Sequence, residues 1–295
     1  MLPKKIYAAD VGGSHISVAS FVPAEGDELH LDDLFRLAVD SSGTKENILY
    51  HWQEAIQHVA KDEKDILLGI AMPAPFDYEN GICLIEEQEK FRDLFHVNIK
   101  QDLAKRLGTP ANRISFLNDA AAFLLGESQY GSGKGAENIL GITLGSGLGS
   151  AIKKNGKVKD AALWSSHFKD GIAEDYLGTS FFVDWSLKNM GVQIEGVKDL
   201  VDPNGLLNRA LPVFDSFAQN LADFIALQCE VLGIDRVIMG GNISKAADLF
   251  LNQTQQHLSS RGCCLSLSVS ELGEMGALYG AASQFLQPLH KVLPS

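Results

Sequence analysis

The sequence predicts an α/β fold, because apolar segments with strand character alternate along the chain with segments of helical periodicity. The predicted strands of the first part of the chain cover residues 5–11, 15–22, 65–76 and 113–119. The predicted helices of the same part cover residues 46–60, 98–108 and 120–131. The alternation then begins again at residue 137, so the pattern is repeated once.

The second part opens as the first does, with a strand, a glycine turn and a second strand. The two turns are DVGGS at 10–14 and LGSGLGS at 144–150, and the second unit continues to an Asn155-Gly156 hairpin turn. Later segments predict a helix at 214–232, a strand at 234–244, a further helix and strand, and a final helix rich in small residues. This weak internal duplication predicts two related lobes with a cleft between them.

Individual boundaries follow from local signals. Ile48, Leu49, Trp52, Ile56 and Val59 recur at helical spacing and predict an amphipathic helix. Prolines at 73 and 75 end the strand that starts at residue 65, since proline cannot continue a sheet. Gly108 ends the helix that starts at residue 98.

Composition narrows the classes of function. The 295 residues carry a net charge of −12 without a dominant block of like charge, which argues against binding to nucleic acid or to an anionic membrane surface. No signal peptide is expected at residues 1–6, and no apolar run reaches the roughly 18 residues of a membrane span. The four cysteines, Cys83, Cys229, Cys263 and Cys264, favour free thiols in a reducing cytoplasm.

The two glycine turns are candidate phosphate sites. Glycine lets the backbone approach a ligand, and successive N–H groups form a concave site for an anion. Gly12, Gly13 and Ser14, with Gly145, Ser146 and Gly147, could hold a polyphosphate. Two ordinary β-hairpins are the alternative. The chain contains no GxxxxGK[ST] motif, and a strand rather than a helix follows each turn, so neither common nucleotide motif applies.

Two further segments are candidate functional sites, namely the polar dipeptide at 118–119 and the double glycine at 240–241. Asn118 and Asp119 stand where a strand ends and a helix begins, so either could cap the helix. A carboxylate in that position could also accept a proton from a hydroxyl during phosphoryl transfer. VIMGGNISK at 237–245 is a strand-to-helix turn that could border a nucleotide base and ribose.

The order of these motifs resembles that of the sugar-kinase and actin-like ATPase superfamily, and within it the ROK family of glucokinase-like kinases. GIAMPAPFDYENGI (69–82) is similar to the family's GxPGPVDxxxG segment, and FLNDAAAFLLGE (116–127) to its ENDANAAALGE segment. LGSGLGSAIKKNGKV (144–158) is similar to GTGIGGGIIxNGxL, and VIMGGNIS (237–244) to GGGVS. The resemblance covers roughly residues 5–285 and implies a two-lobed actin-like ATPase (ribonuclease H-like) fold.

The resemblance implies a role for each matching residue. Asp119 would be the general base, Asn118 would bind the sugar, and Asp10 would hold Mg²⁺ bound to ATP. The phosphates would contact both glycine turns, and the adenosine would lie beside a third group. These nucleotide-binding residues are Gly12, Gly13, Ser14, Gly145, Ser146, Gly147, Gly240, Gly241 and Asn242. The implied lobes are residues 1–117 with 277–295, and residues 118–276. Dimerisation through the large lobe is common in such kinases, so a homodimer is compatible with the resemblance.

Departures from the family pattern lie on the sugar side. His167 falls at the position of the family's sugar-binding histidine, whereas Trp164 replaces its sugar-binding glutamate. No cysteine occurs where the family's zinc motif CxCGxxGC would follow, so we expect no zinc site. Glu174 resembles a family glutamate and could bind sugar hydroxyls, or it could be a charge in the first turn of a helix. His15 stands where a lysine is common.

The function expected from these observations is ATP-dependent phosphorylation of a hexose, glucose or a related sugar. A nucleotide-binding or ATPase protein of the same fold that has lost sugar phosphorylation is the alternative, motivated by the altered sugar segment. A sugar-responsive transcription regulator is disfavoured, since only five residues precede the first strand and leave no room for a helix-turn-helix domain.

Overall fold

Two mixed sheets form the framework of the protein. The computed structural model describes residues 3–61, 63–86, 90–202 and 205–286. The strands are β1 (Ile6–Val11), β2 (His15–Pro23), β3 (Leu29–Ala38), β4 (Leu68–Met72), β5 (Phe76–Asp77), β6 (Ile82–Cys83), β7 (Ile114–Asn118), β8 (Ile139–Leu144), β9 (Leu148–Lys154), β10 (Lys157–Asp160), β11 (His167–Phe168), β12 (Gly171–Ile172), β13 (Arg236–Gly240) and β14 (Ser266–Val269). The helices are α1 (Lys45–Ala60), α2 (Ile99–Leu107), α3 (Asp119–Tyr130), α4 (Ala173–Leu177), α5 (Thr179–Met190), α6 (Leu207–Leu232), α7 (Leu251–Ser260) and α8 (Gly276–Ser283).

The first sheet has the order β3-β2-β1-β4-β7. β1, β2 and β3 are antiparallel, whereas β4 runs parallel to both β1 and β7. All five residues of β4 are buried, as expected for a central strand of a parallel sheet covered on both faces. The carboxyl ends of β1, β4 and β7 therefore meet at one edge of this sheet.

Helix α1 packs against β2 and β3 through the predicted apolar face. Ile48, Leu49, Trp52, Ile56 and Val59 are all buried, so the periodicity prediction is confirmed. The Thr44 side chain caps the helix by accepting a hydrogen bond from the N–H of Asn47. Gly108 ends α2 in the left-handed conformation, also as predicted.

The second sheet has the order β10-β9-β8-β13-β14, and the Asn155-Gly156 turn joins β9 to β10 with positive φ at both residues. Helix α6 buries Phe217, Leu221 and Phe224 in the hydrophobic core that it shares with this sheet. Val231, predicted to lie on the apolar face of α6, is 70% exposed, whereas Leu232, the next residue, packs against the core. Where one helix was predicted after residue 244, a 3-10 helix over Ile243–Leu249 precedes α7.

The chain divides into two compact units. The first contains residues 1–131, 156–159 and 275–295, and the second contains residues 132–155 and 160–274. The predicted boundary at residue 117/118 fell before α3, whereas the first unit includes α3, because α3 packs closely against α8. Residues 287–295 of the predicted small lobe lie outside the described residues. No helix within the described ranges is long and apolar enough to cross a membrane.

Candidate active site

The first glycine turn closes the hairpin between β1 and β2. The N–H of Gly12 donates to the carbonyl of His15 at 3.0 Å, so this donor shapes the turn. For the N–H groups of Gly13 and Ser14, the described part of the chain supplies no backbone acceptor. These two successive donors are the part of the turn that could hold an anion. Asp10 precedes them on β1, where it pairs with Ala71 of β4.

The side chains of Ser14, His15 and Arg36 form a series of hydrogen bonds that starts at the first glycine turn. Arg36 donates from Nη2 to Nε2 of His15 at 2.9 Å, and Nδ1 of His15 lies 3.1 Å from Oγ of Ser14. A guanidinium only donates, so Nε2 accepts and the neutral tautomer of the ring carries its proton on Nδ1. That proton is directed at the Ser14 oxygen. The hydroxyl hydrogen of Ser14 is then available to donate to a ligand.

Asn118 and Asp119 divide two roles between them at the end of β7. Asn118 caps α3, because its Oδ1 accepts from the N–H of Ala121 at 3.0 Å. Its Nδ2 donates to the hydroxyl of Tyr78 at 3.3 Å, and this hydroxyl donates to the carbonyl of Met72 at 3.1 Å. Asp119 is half-buried, and its Oδ1 accepts from the N–H of Ala120 at 2.8 Å. The capping function therefore belongs to Asn118, and Asp119 is not needed for it.

The first unit places Asp119 and the first glycine turn at the same sheet edge. Asp10 is in register with Ala71, and Asn118 is in register with Met72, so both lie where parallel strands end. A single strand, β4, separates them, which puts the two backbones about 10 Å apart at ordinary strand spacing. A phosphate held at the turn and a hydroxyl held near Asp119 would be neighbours at this edge.

The second glycine turn is held by α4 and α5. Its own hydrogen bond runs from the N–H of Gly145 to the carbonyl of Gly147 at 3.0 Å. Thr179, the first residue of α5, donates to the carbonyl of Gly145 from its N–H at 2.9 Å and from Oγ1 at 2.8 Å. These two hydrogen bonds hold the backbone of the turn in place through the carbonyl of Gly145. The sequence motifs contained no signal for Thr179, because its role depends on the tertiary fold.

Glu174 also supports the second glycine turn. It lies in the first turn of α4, and its Oε2 accepts from the N–H of Leu148 at 2.8 Å. A β-carbon at position 147 would overlap this oxygen and lie 3.1 Å from Cδ of Glu174. Glycine at 147 therefore leaves the space in which the Glu174 carboxylate lies. Glu174, predicted as a sugar-binding residue, thus has its carboxylate against the second glycine turn.

The double glycine at the end of β13 lies beside the same turn. Gly241 has a φ of +85°, and a β-carbon there would lie 2.7 Å from N and 2.8 Å from C of Leu144. Both the conformation and the close approach require glycine at this position. Gly240 is in register with Thr143 on β8, and Asn242 is exposed before the 3-10 helix. The second unit therefore brings residues 145–147 and 240–242 together, as the nucleotide hypothesis needs.

The remaining predicted sugar residues lie on short elements of the second unit. His167 is exposed on β11 and pairs with Ile172. Trp164 is 47% exposed in a 3-10 turn, where the preceding N–H of Leu163 donates to Oγ of Ser150 at 2.9 Å. Over the described ranges, no group of three or more His, Cys, Asp or Glu residues could hold a metal ion.

Two glucokinases are among the known proteins that are similar to this chain. A glucokinase of Thermotoga maritima is 34% identical over 156 residues, which are 52% of this chain and 46% of that relative, so the match spans about half of each. A glucokinase of Halalkalibacterium halodurans is 26% identical over 284 residues, covering 85% of this chain and 84% of the relative.

Structural comparison supports the predicted fold. The crystal structure of a ROK family glucokinase from Streptomyces griseus, in complex with glucose and AMPPNP, has a TM-score of 0.72 and 21% identity, and the match covers 95% of this chain and 98% of that one. This likeness confirms the α/β fold of the two-lobed actin-like ATPase type. The model of the ROK family matches residues 6–161, more than half of the sequence. This chain is a member of the ROK family.

Proposed function

We propose that this protein transfers a phosphoryl group from ATP to a hydroxyl of a hexose, glucose or a related sugar. The observation that carries the proposal is the common sheet edge of β1, β4 and β7, where the first glycine turn and Asp119 lie one strand apart. Family membership and the names of the relatives support the same reaction.

Asp119 is proposed as the general base. Because Asn118 provides the helix cap, the Asp119 carboxylate can face a substrate without loss of the α3 terminus. It would accept the proton of the sugar hydroxyl as the hydroxyl oxygen attacks the γ-phosphorus of ATP. The bond from that phosphorus to the bridging oxygen breaks, and ADP leaves. A base in this position contributes about 10²-fold to 10⁴-fold to the rate.

The nucleotide contacts are proposed at the glycine-rich segments. The donors of Gly13, Ser14, Ser146 and Gly147 would hold the phosphates, with Gly12 and Gly145 shaping their turns. Residues 240–242 would border the adenosine. Mg²⁺ usually reaches a protein through one or two carboxylates together with phosphates and water, and Asp10 supplies one carboxylate at the right edge.

The sugar contacts are proposed at Asn118 and His167. Asn118 uses its Oδ1 and one Nδ2 hydrogen within the protein, so the other Nδ2 hydrogen can meet a sugar hydroxyl. The contacts of Glu174 support a role in holding the second glycine turn rather than the sugar. Since a site that bonds a particular hydroxyl discriminates strongly between sugars, the replacement of a family glutamate by Trp164 bears directly on which hexose is accepted.

The test is ADP release from Mg-ATP with a panel of sugars and a control without sugar. The panel contains glucose, mannose, fructose, N-acetylglucosamine, N-acetylmannosamine and allose. We expect one sugar to stimulate ADP release, with an equal amount of sugar phosphate formed. ADP release that no sugar changes would contradict the proposal and favour an ATPase of the same fold.

A further inference from the structure

The side chain of Lys90 lies against the first glycine turn. A β-carbon at position 13 would overlap Cδ of Lys90, and it would lie 2.6 Å from Cε and 3.0 Å from Nζ. The φ of Gly13 is outside the left-handed range, so its backbone conformation suits any residue. The lysine side chain therefore occupies the space that a β-carbon at position 13 would take.

A buried aromatic anchor fixes the backbone that carries Lys90. The next residue, Phe91, is 1% exposed and packs edge-on against Trp52, with ring centroids 5.9 Å apart. Its N–H donates to the carbonyl of Ser41 at 2.7 Å. Phe91 also has a φ of +61°, a conformation that is rare and costly for an aromatic residue and is kept only where the surroundings enforce it. Lys90 therefore leaves the backbone at a defined place.

The same connecting segment holds the turn and the lysine. The N–H of Val39 donates to the carbonyl of Ser14 at 3.0 Å, two residues before Ser41 binds Phe91. Residues 39–41 thus link the glycine turn to the backbone of Lys90. The contact between Lys90 and Gly13 is therefore formed entirely by segments of the first unit.

In the proposal above, Mg²⁺ held by Asp10 supplies one cation to a phosphate at this turn, and the side chains of Gly12, Gly13 and Ser14 carry no charge that could supply a second. The residue after Ser14 is His15, and its Nε2 accepts a hydrogen bond from Arg36, so the ring acts there as an acceptor. Backbone N–H groups supply only partial charges, whereas a lysine ammonium is a full positive charge with three donors. Such a point charge is a common partner of phosphate in proteins.

We infer that the ammonium group of Lys90 binds the polyphosphate of the nucleotide at the turn formed by Gly12, Gly13 and Ser14. This inference rests on the proposed kinase function. It adds a positive charge to that phosphate site from a segment about 75 residues away along the chain. The lysine adds to the N–H groups of Gly13 and Ser14 without taking part in proton transfer.

The experiment compares Lys90→Met and Lys90→Arg with wild type in calorimetric titrations with Mg-ATP and in the sugar-stimulated assay. Methionine keeps the length of the side chain and removes the charge. We expect Lys90→Met to bind Mg-ATP about tenfold to a hundredfold more weakly, as for loss of a hydrogen bond to a charged group. Lys90→Arg keeps the charge and should bind more tightly than Lys90→Met. Lys64→Met, at an exposed lysine of the same unit, is the matched control and should bind as wild type does.

Two failures can be told apart. Wild-type protein that binds no Mg-ATP would overturn the proposed function and the inference with it. Wild-type protein that binds Mg-ATP and phosphorylates sugar, with Lys90→Met equal to Lys64→Met in affinity, would overturn the inference alone. An equal loss in Lys90→Met and Lys90→Arg would also overturn it, because the charge would then not be the cause.

Discussion

Glu174 and Gly147 depend on each other at the second glycine turn. The carboxylate accepts the N–H of Leu148, and glycine at 147 leaves the space that this carboxylate occupies. Because the turn is a proposed phosphate site, Glu174 affects nucleotide binding by positioning backbone donors. A role as a ligand for sugar hydroxyls would give a different kinetic signature.

Glu174→Ala is expected to raise the KM for Mg-ATP more than the KM for the sugar. It also leaves the N–H of Leu148 without its acceptor, which lowers the free energy of unfolding by about 1–3 kcal/mol if the donor stays buried. Glu174→Gln is the matched control, because its amide oxygen can still accept this hydrogen bond. Steady-state kinetics with each substrate varied in turn measure the KM for Mg-ATP and the KM for the sugar. A rise confined to the KM for the sugar would restore Glu174 as a sugar ligand.

At the scale of single residues, the sequence could locate the motifs but not their partners. The DVGGS and LGSGLGS turns and the Asn118-Asp119 pair were found because glycine and capping residues leave local signals. Lys90, Arg36 and Thr179 were missed, since each reaches its site through contacts between distant segments. Nothing local distinguishes such residues from ordinary surface side chains.

At the scale of elements, α3 and α8 pack at a separation that only glycine allows. A β-carbon on Gly126 would overlap the carbonyl oxygen of Gly276 and lie 3.0 Å from N of Gly280. One on Gly280 would overlap the carbonyl oxygen of Ala122 and lie 2.7 Å from its carbon. Since α3 begins at Asp119, this contact sets the position of the proposed base.

Gly126→Ala should destabilise the protein by forcing the two helices apart. Overpacking of this kind costs about 1–3 kcal/mol, or more where backbone must move, although alanine itself favours a helix. Denaturant unfolding followed by circular dichroism measures the effect. Gly196→Ala is the control, because a β-carbon there has its nearest contact at 3.9 Å and the backbone is extended. Equal stability of the two variants would contradict the close packing described for α3 and α8.

Most elements were predictable because buried strands and amphipathic helices carry periodic apolar residues. β3 was not predicted, since it is an edge strand with most of its side chains partly or fully exposed. Helix α4 was expected only as the alternative role of Glu174, and α5 was missed. The apolar residues of α5 are only partly buried and do not recur at a clear helical spacing. The buried residues of this helix are Phe182 and Ser186.

At the scale of the whole molecule, each compact unit contains one glycine turn that is proposed to bind phosphate. The turn at 12–14 belongs to the first unit and the turn at 145–147 to the second. The duplication seen in the sequence therefore corresponds to two sheets with the same opening of antiparallel strands. The exact division at residue 131 could not be predicted, because it depends on the packing of α3 on α8.

Hydrogen exchange tests both turns in a single experiment. With Mg-ATP at about 100 times its dissociation constant, amides bonded to phosphate should exchange about a hundredfold more slowly, since only about 1% of the protein is unbound. We expect this slowing at Gly13 and Ser14 and also at Ser146 and Gly147. Amides of the exposed strand β3 serve as the internal control. Protection confined to one turn would contradict the phosphate assignment of the other.

The most direct test of the central claim is the rate of sugar-phosphate formation by Asp119→Asn, measured together with its affinity for Mg-ATP. Asparagine keeps the shape of the side chain and the acceptor for the N–H of Ala120 but cannot take a proton. Glu54→Gln, an exposed carboxylate on α1, is the control. We predict a loss of about 10²-fold to 10⁴-fold in kcat with the affinity for Mg-ATP unchanged. Sugar phosphorylation by Asp119→Asn at the wild-type rate would contradict the account.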